Sequence, residues 1–297
     1  MILWLTGRNE NMLENNTGKF PAGKTKRIVL FCDLRDSTDI LLNYEQGIYR
    51  SIDDATQKAF TYEEFMLDVH ETSYKELYLG HENTYAEIYG DGVMGIFPED
   101  NAKYILENIY RLTKRMRIYN DSPGVGIYKP RIDIGFGLAV GETAFVYYPL
   151  DKRYHAVGRC IHKAARIEGV SRLYDARVLI SGLFFKFAEE YINSDSRFSC
   201  RFIDRVILKG FREPTTLFEL LIDNDPRFEI KKHSTKEYSE AYSRYSRREW
   251  EAAKEIFKRI SSEYGLGIGA VMAKRCDYFL KSQPGPEWNG IWEMRDK

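Results

Sequence analysis

Ile28-Val-Leu-Phe-Cys-Asp33-Leu-Arg-Asp-Ser-Thr38 and Tyr89-Gly-Asp91-Gly-Val-Met-Gly-Ile-Phe97 are two apolar runs, each with one aspartate at a fixed place. The first reads as a buried strand over 27–34 that brings Asp33 to its end. The second reads as two short strands, 84–89 and 93–97, around a Gly-Asp-Gly turn that tolerates positive φ. A carboxylate beside apolar strands is costly unless something compensates it. Taken singly, Asp33 reads equally well as a helix N-cap and Asp91 as an ordinary hairpin residue. Brought to one point, they make a site for a hard divalent cation, which is commonly held by one or two carboxylates plus substrate phosphates. Phosphoryl transfer is therefore the leading chemistry.

The 297 residues are 43% hydrophobic and 30% charged, which fits a globular chain of one or two domains. Lys+Arg and Asp+Glu both number 44, so no global basic field points to nucleic acid or an anionic membrane. No apolar run approaches the ~18 residues of a membrane span. The opening Met-Ile-Leu-Trp-Leu-Thr-Gly-Arg lacks the leading charge of a signal peptide. Cys32, Cys160, Cys200 and Cys276 are scattered, and no spacing joins them to His70, His81, His155, His162 or His233 as a zinc site. The expectation is a cytoplasmic protein with reduced thiols, no nucleic-acid partner and no membrane.

Residues 1–26 read as a polar leader. Within 27–222 the helical pattern runs over 39–79 and again over 101–119, where Ile105, Ile109, Leu112 and Met116 share one side. Strands follow at 131–140 and 142–148 around Gly141, then a helix over 157–170 and strands at 178–181, 198–208 and 216–221. This βαββαβ order with extra strands is a ferredoxin-like α+β arrangement. Over 223–297, Tyr238, Ala241, Tyr245, Trp250, Ala253, Ile256, Phe257 and Ile260 give helical spacing across a turn near Ser246. A further helix over 270–280 precedes an aromatic ending at Trp292. The region reads as a small C-terminal helical appendix whose stripe serves packing or oligomer contact.

Two further motifs complete the pattern. His155-Ala-Val-Gly-Arg-Cys-Ile-His162-Lys-Ala-Ala-Arg166 puts His162 and Arg166 on one helix face, and Val206-Ile-Leu-Lys209-Gly210 is a strand running into Lys-Gly. With the two aspartate runs, and in this order, these segments resemble the catalytic domain of the class III nucleotidyl cyclases, the adenylyl and guanylyl cyclases. The resemblance implies that Asp33 and Asp91, with the Leu34 carbonyl, hold two divalent metal ions, Mn²⁺ or Mg²⁺. It implies phosphate contacts from the amides of residues 34–38, Arg35 included, and from the Thr38 hydroxyl. It matches Arg166 to the arginine that stabilises the transition state and Lys209 to the lysine on the terminal phosphates. His162 stands where the family has the asparagine that orients the ribose. The ribose 3′-hydroxyl of a nucleoside triphosphate attacks the α-phosphorus in line, and pyrophosphate leaves. A homodimer is also implied, with the aspartates from one protomer and the arginine and lysine from its partner.

The departures bear on the base. Four residues before Asp91, adenylyl cyclases usually carry Lys and guanylyl cyclases Glu; here it is Glu87. Eleven before Arg166, the family usually has Asp, Thr or Cys; here it is His155. The loop after Gly137 and Gly141 is also changed, to Ala-Phe-Val-Tyr-Tyr-Pro. An ionised Glu87 only accepts hydrogen bonds, so it selects a base N–H: guanine N1/N2, uracil N3 or cytosine N4. His155 shrinks the pocket toward a one-ring base, and it is able to donate to a carbonyl such as uracil O4. The combination is similar to the stand-alone pyrimidine cyclases of bacterial anti-phage (Pycsar) signalling, which implies cyclic UMP or cyclic CMP as the product. The alternatives are a guanylyl or adenylyl cyclase of ordinary signalling, or a catalytically degenerate nucleotide-binding regulator, for which His162 in place of Asn is the support.

Overall fold

The computed structural model describes residues 20, 23–49, 61–78 and 84–294. The chain divides into two compact units, residues 1–135 with 140–162, and residues 136–139 with 163–297. The first unit contains β1 (Thr25–Leu34), α1 (Ser37–Glu45), α2 (Tyr62–Tyr78), β2 (Tyr85–Tyr89), β3 (Gly92–Pro98) and α3 (Ala102–Asn120). It also holds most of β4 (Ile134–Tyr148), which forms a hairpin with β5 (Arg153–Val157). β1 pairs antiparallel with β3 from Arg27↔Pro98 to Asp33↔Gly92, and β2 pairs with the other edge of β3. Ile28, Val29 and Leu30 are fully buried in succession, as in a strand covered on both faces. The Tyr78 ring lies directly on Gly95, where a Cβ would come within 1.8 Å of it, and stacks on Phe97 at 5.5 Å. That glycine lets α2 approach the β2–β3 hairpin closely.

In the second unit, Phe136–Leu138 of β4 runs parallel to β6 (Val178–Ser181). β6 pairs antiparallel with β8 (Thr215–Ile222), β8 with β7 (Phe198–Ile207), and β9 (Trp292–Glu293) adds in parallel to β7. A Cβ on Gly137 would meet Glu168 N at 2.3 Å and Ala164 O at 2.4 Å, so glycine there seats α4 (Arg159–Ser171) against β4. α5 (Gly182–Ser194) follows, then α6 (Phe228–Ser246), α7 (Trp250–Tyr264) and α8 (Gly267–Lys281). Of the aromatic and aliphatic stripe, Tyr238, Ala241, Tyr245, Trp250, Ala253, Phe257 and Ile260 are buried, and Ile256 is half-buried. Two sealed polar clusters lie where β7 and β8 meet α6 and α8. Glu219 bonds Arg201 and Lys231, and Asp204 bonds Arg275, Tyr174 and Tyr242.

Several expected boundaries are corrected. The helical pattern over 39–79 is two helices, α1 and α2; residues 50–60 and 79 lie outside the described residues. The two strands expected around Gly141 are one continuous β4, because that glycine makes room for Cys160, whose Cβ would be 3.0 Å from an added methyl, rather than a turn. The helix expected from 157 starts at Arg159, since residues 153–157 form β5. The leader's last residues, Thr25 and Lys26, already belong to β1, and Phe20 stacks on Phe145 at 4.1 Å; residues 1–19 lie outside the described residues.

Candidate active site

Asp33 lies at the end of β1 and Asp91 forms the β2–β3 turn, with Gly90 before it at φ 59°. The register pairs Asp33 with Gly92, which sets Asp33 and Asp91 one residue apart in register across neighbouring strands. A Cβ at position 92 would lie 2.7 Å from the Cys32 carbonyl oxygen and 2.8 Å from Asp33 Oδ1, so glycine leaves the Asp33 carboxylate its place. The Ser37 hydroxyl donates to Asp91 Oδ2. From α2, Tyr62 and His70 also lie near Asp91. Burial raises the Tyr62 phenol, with the Asp91 charge adding to it. Burial holds the His70 imidazole below its ordinary value against the opposing pull of Asp91.

Among the described residues no group of three or more His, Cys, Asp or Glu side chains forms a closed metal cage. The carboxylates of Asp33 and Asp91, one residue apart in register, and the strand-end carbonyl of Leu34 are oxygen donors. Mg²⁺ and similar hard ions take such sets and complete them with phosphate and water. The residues present fit that group.

The Arg35 amide donates to the Asp133 carbonyl at 2.8 Å, and its Nη1 to Asp133 Oδ2 at 3.3 Å. The Arg35 N–H is thus engaged within the chain, and a phosphate contact from it would require this bond to open. Asp36 then turns the chain into α1 in the left-handed region, φ 58° and ψ 24°, which Asp tolerates better than most residues. Thr38 is exposed in the first turn of α1, where the amides have no intrahelical partner and favour an anion.

Glu87 sits in β2 between Tyr85 and Tyr89, each two residues away and therefore on the same strand face. Both phenols donate to Glu87 Oε2, at 2.6 Å and 2.9 Å. Burial, then the bond to Glu87, pushes the Tyr85 phenol far up and that of Tyr89 to about 12. Glu87 Oε1 faces His155 Nδ1 of β5 at 3.6 Å, longer than a hydrogen bond. The other ring nitrogen, Nε2, lies 2.5 Å from Asp151 Oδ2 in the β4–β5 turn. That bond holds the Asp151 carboxyl below its ordinary value. The Tyr148 ring stands edge-on to the imidazole at 4.9 Å.

In the second unit, Arg166 is half-buried on α4, and Lys209 is exposed beside Gly210 at φ 85°. The Lys163 ammonium of α4 lies over the Phe211 ring at 5.4 Å, so the helix of Arg166 packs beside the turn of Lys209. His162, four residues before Arg166, is exposed. Sequence reasoning missed Ser37, Tyr85, Tyr89 and Asp151. The two tyrosines carried a signal, since period-two spacing in a strand places them beside Glu87. Asp151 carried none, because only the hairpin brings it to His155.

No family model matches the chain. A curated relative, an adenylate cyclase of Anabaena cylindrica, is 24% identical over 210 residues, 67% of this chain. The chain spans 38% of that relative's length. The crystal structure of the adenylyl cyclase CyaB from P. aeruginosa matches at 19% identity and a TM-score of 0.53, over 68% of this chain and 96% of that one. The guanylyl cyclase Cya2 matches at 18% identity and a TM-score of 0.47, over 70% and 97%. The likeness to CyaB shows the fold, an α+β sheet with flanking helices of the class III cyclase type. Among the described residues no helix is long and apolar enough to cross a membrane.

Proposed function

We propose that this chain is a nucleotidyl cyclase that converts a pyrimidine nucleoside triphosphate, UTP or CTP, to its 3′,5′-cyclic monophosphate and pyrophosphate. The observation that carries the cyclase reading is the Asp33↔Gly92 register, which sets Asp33 beside Asp91 on a fold of the class III type. Asp33, Asp91 and the Leu34 carbonyl would hold divalent ions, which would supply positive charge to acidify the ribose 3′-hydroxyl and neutralise the phosphates. The chain's own residues do the rest. The first-turn amides of α1 and the Thr38 hydroxyl hold phosphate oxygens. His162 orients the ribose so that its 3′-oxygen lies in line with the α-phosphorus. Arg166 stabilises the charge that builds as the new O–P bond forms and the bond to pyrophosphate breaks, and Lys209 holds the departing pyrophosphate. A homodimer completes two such sites, each with aspartates from one protomer and Arg166 and Lys209 from its partner.

The pyrimidine assignment is supported by Glu87 and His155, which stand together at 3.6 Å. An acceptor beside a bulky imidazole suits a one-ring base with an N–H edge. In this reading the cyclic pyrimidine nucleotide serves as a second messenger, and the resemblance to anti-phage cyclases is what supports a role in defence. The test is incubation of the purified protein with ATP, GTP, CTP and UTP in turn, with Mn²⁺ or Mg²⁺, and mass spectrometry of the products. Cyclic CMP or cyclic UMP is expected. Cyclic GMP or cyclic AMP as the main product overturns the pyrimidine reading. No cyclic product from any of the four leaves a nucleotide-binding regulator.

A further inference from the structure

We infer that Asp151 is a positioning residue that fixes the tautomer of His155, so that Glu87 Oε1 and His155 Nδ1 act as paired acceptors for a base amino group, which makes CTP the preferred pyrimidine. The inference rests on the reading of Glu87 and His155 as base contacts. An ionised carboxylate has no proton to give, so the 2.5 Å contact between Asp151 and His155 puts the imidazole proton on Nε2. In the neutral ring the lone pair then lies on Nδ1, because the hydrogen bond made by one ring nitrogen decides the role of the other.

Glu87 is set in a matching way. Its Oε2 already accepts from Tyr85 and Tyr89, which leaves Oε1 for a ligand. With the ring neutral, Oε1 and Nδ1 are two acceptors that face each other at 3.6 Å, and both call for a donor. The cytosine N4 amino group carries two hydrogens and satisfies both. Uracil carries a carbonyl oxygen at the same place, a third acceptor against the first two. Guanine also offers adjacent N–H groups, but its second ring competes for space with the imidazole and with the Tyr148 ring, 4.9 Å from it.

Asp151→Asn tests the idea, since an amide rotates to donate to Nε2 and so moves the ring proton to Nδ1. The pair then becomes one donor and one acceptor, the pattern that uracil O4 and N3–H complement. The wild type is expected to show a higher kcat/KM for CTP than for UTP. In Asp151→Asn that ratio should fall about tenfold or more, mostly through the KM for CTP, because a site built on polar partners discriminates strongly against mismatched ones. Asp151→Glu keeps an acceptor-only partner and should keep the CTP preference. A wild type that uses UTP as well as or better than CTP overturns the inference and leaves the pyrimidine cyclase reading standing. Equal loss for both substrates in Asp151→Asn gives Asp151 a merely structural role. A wild type that makes no cyclic pyrimidine overturns the underlying reading itself.

Discussion

Carboxylates are used in opposite ways in the two units. Asp204 and Glu219 of the second unit are sealed from solvent, at 0% and 1% exposure. Each is answered by several donors: Arg275, Tyr174 and Tyr242 on one, Arg201 and Lys231 on the other. Glu87 of the first unit is partly open, with one oxygen given to two phenols and the other held against a ring nitrogen beyond hydrogen-bond distance. Asp91 has a hydroxyl from Ser37 and sits in a turn. A buried charge that is fully answered fixes how strands and helices meet. A partly answered charge open to solvent is available to a ligand.

The sharpest way to break the comparison is to neutralise one carboxylate of each kind. Asp33→Asn and Asp91→Asn should each lower turnover by about a thousandfold or more, because an amide does not replace a metal-binding carboxylate. The thermal midpoint should move little in both, since both positions are only half-buried and an amide oxygen at position 91 still accepts the Ser37 hydroxyl. Retained turnover in a folded Asp91→Asn protein places the metal site elsewhere. Glu219→Gln should do the reverse. It leaves Arg201 and Lys231 buried without their shared anion, a loss of about 3–5 kcal/mol. That corresponds to a fall of about 10 °C in the thermal midpoint for a unit of this size. A Glu219→Gln protein as stable as the wild type would show that the cluster is solvated and not structural.

The open side of this contrast stood out in the sequence through locality, whereas the sequence reading singled out neither Asp204 nor Glu219. Asp33 and Asp91 stand out because apolar strand runs surround them, and the buried side of α3 follows from the spacing of Ile105, Ile109, Leu112 and Met116. The break between α1 and α2 was hidden, because α1 buries only Ile40 and so prints almost no periodicity. Gly141 misled, since a glycine needed for close approach to Cys160 looks in sequence like a glycine needed for a turn. The bond from the Arg35 amide to the Asp133 carbonyl was hidden because its partner is 98 residues away. The Asp151–His155 contact depends on how a hairpin closes, and no residue type announces it.

Asp68 sharpens the comparison, because it is buried without being fully answered. It lies on α2 in the first unit, away from the reader pair, and burial is the main force that pushes its carboxyl up to about 7. The charge of Glu71 adds to that rise, while Lys75 and Arg115 oppose it. The sign follows from proton binding. Between the ordinary carboxylate range and about 7, the folded chain keeps a proton that the unfolded chain releases. Stability therefore falls as pH rises through that window, and the full penalty is present above it. Asp68→Asn removes the titration without changing the shape of the side chain. Its unfolding free energy should match the wild type near about pH 4 and exceed it near about pH 8 by a difference on the order of 4 kcal/mol, read by denaturation at the two pH values. A pH-independent difference between the two proteins would mean that water or a cation answers Asp68 after all, and would place it with Glu219 among the sealed and satisfied charges.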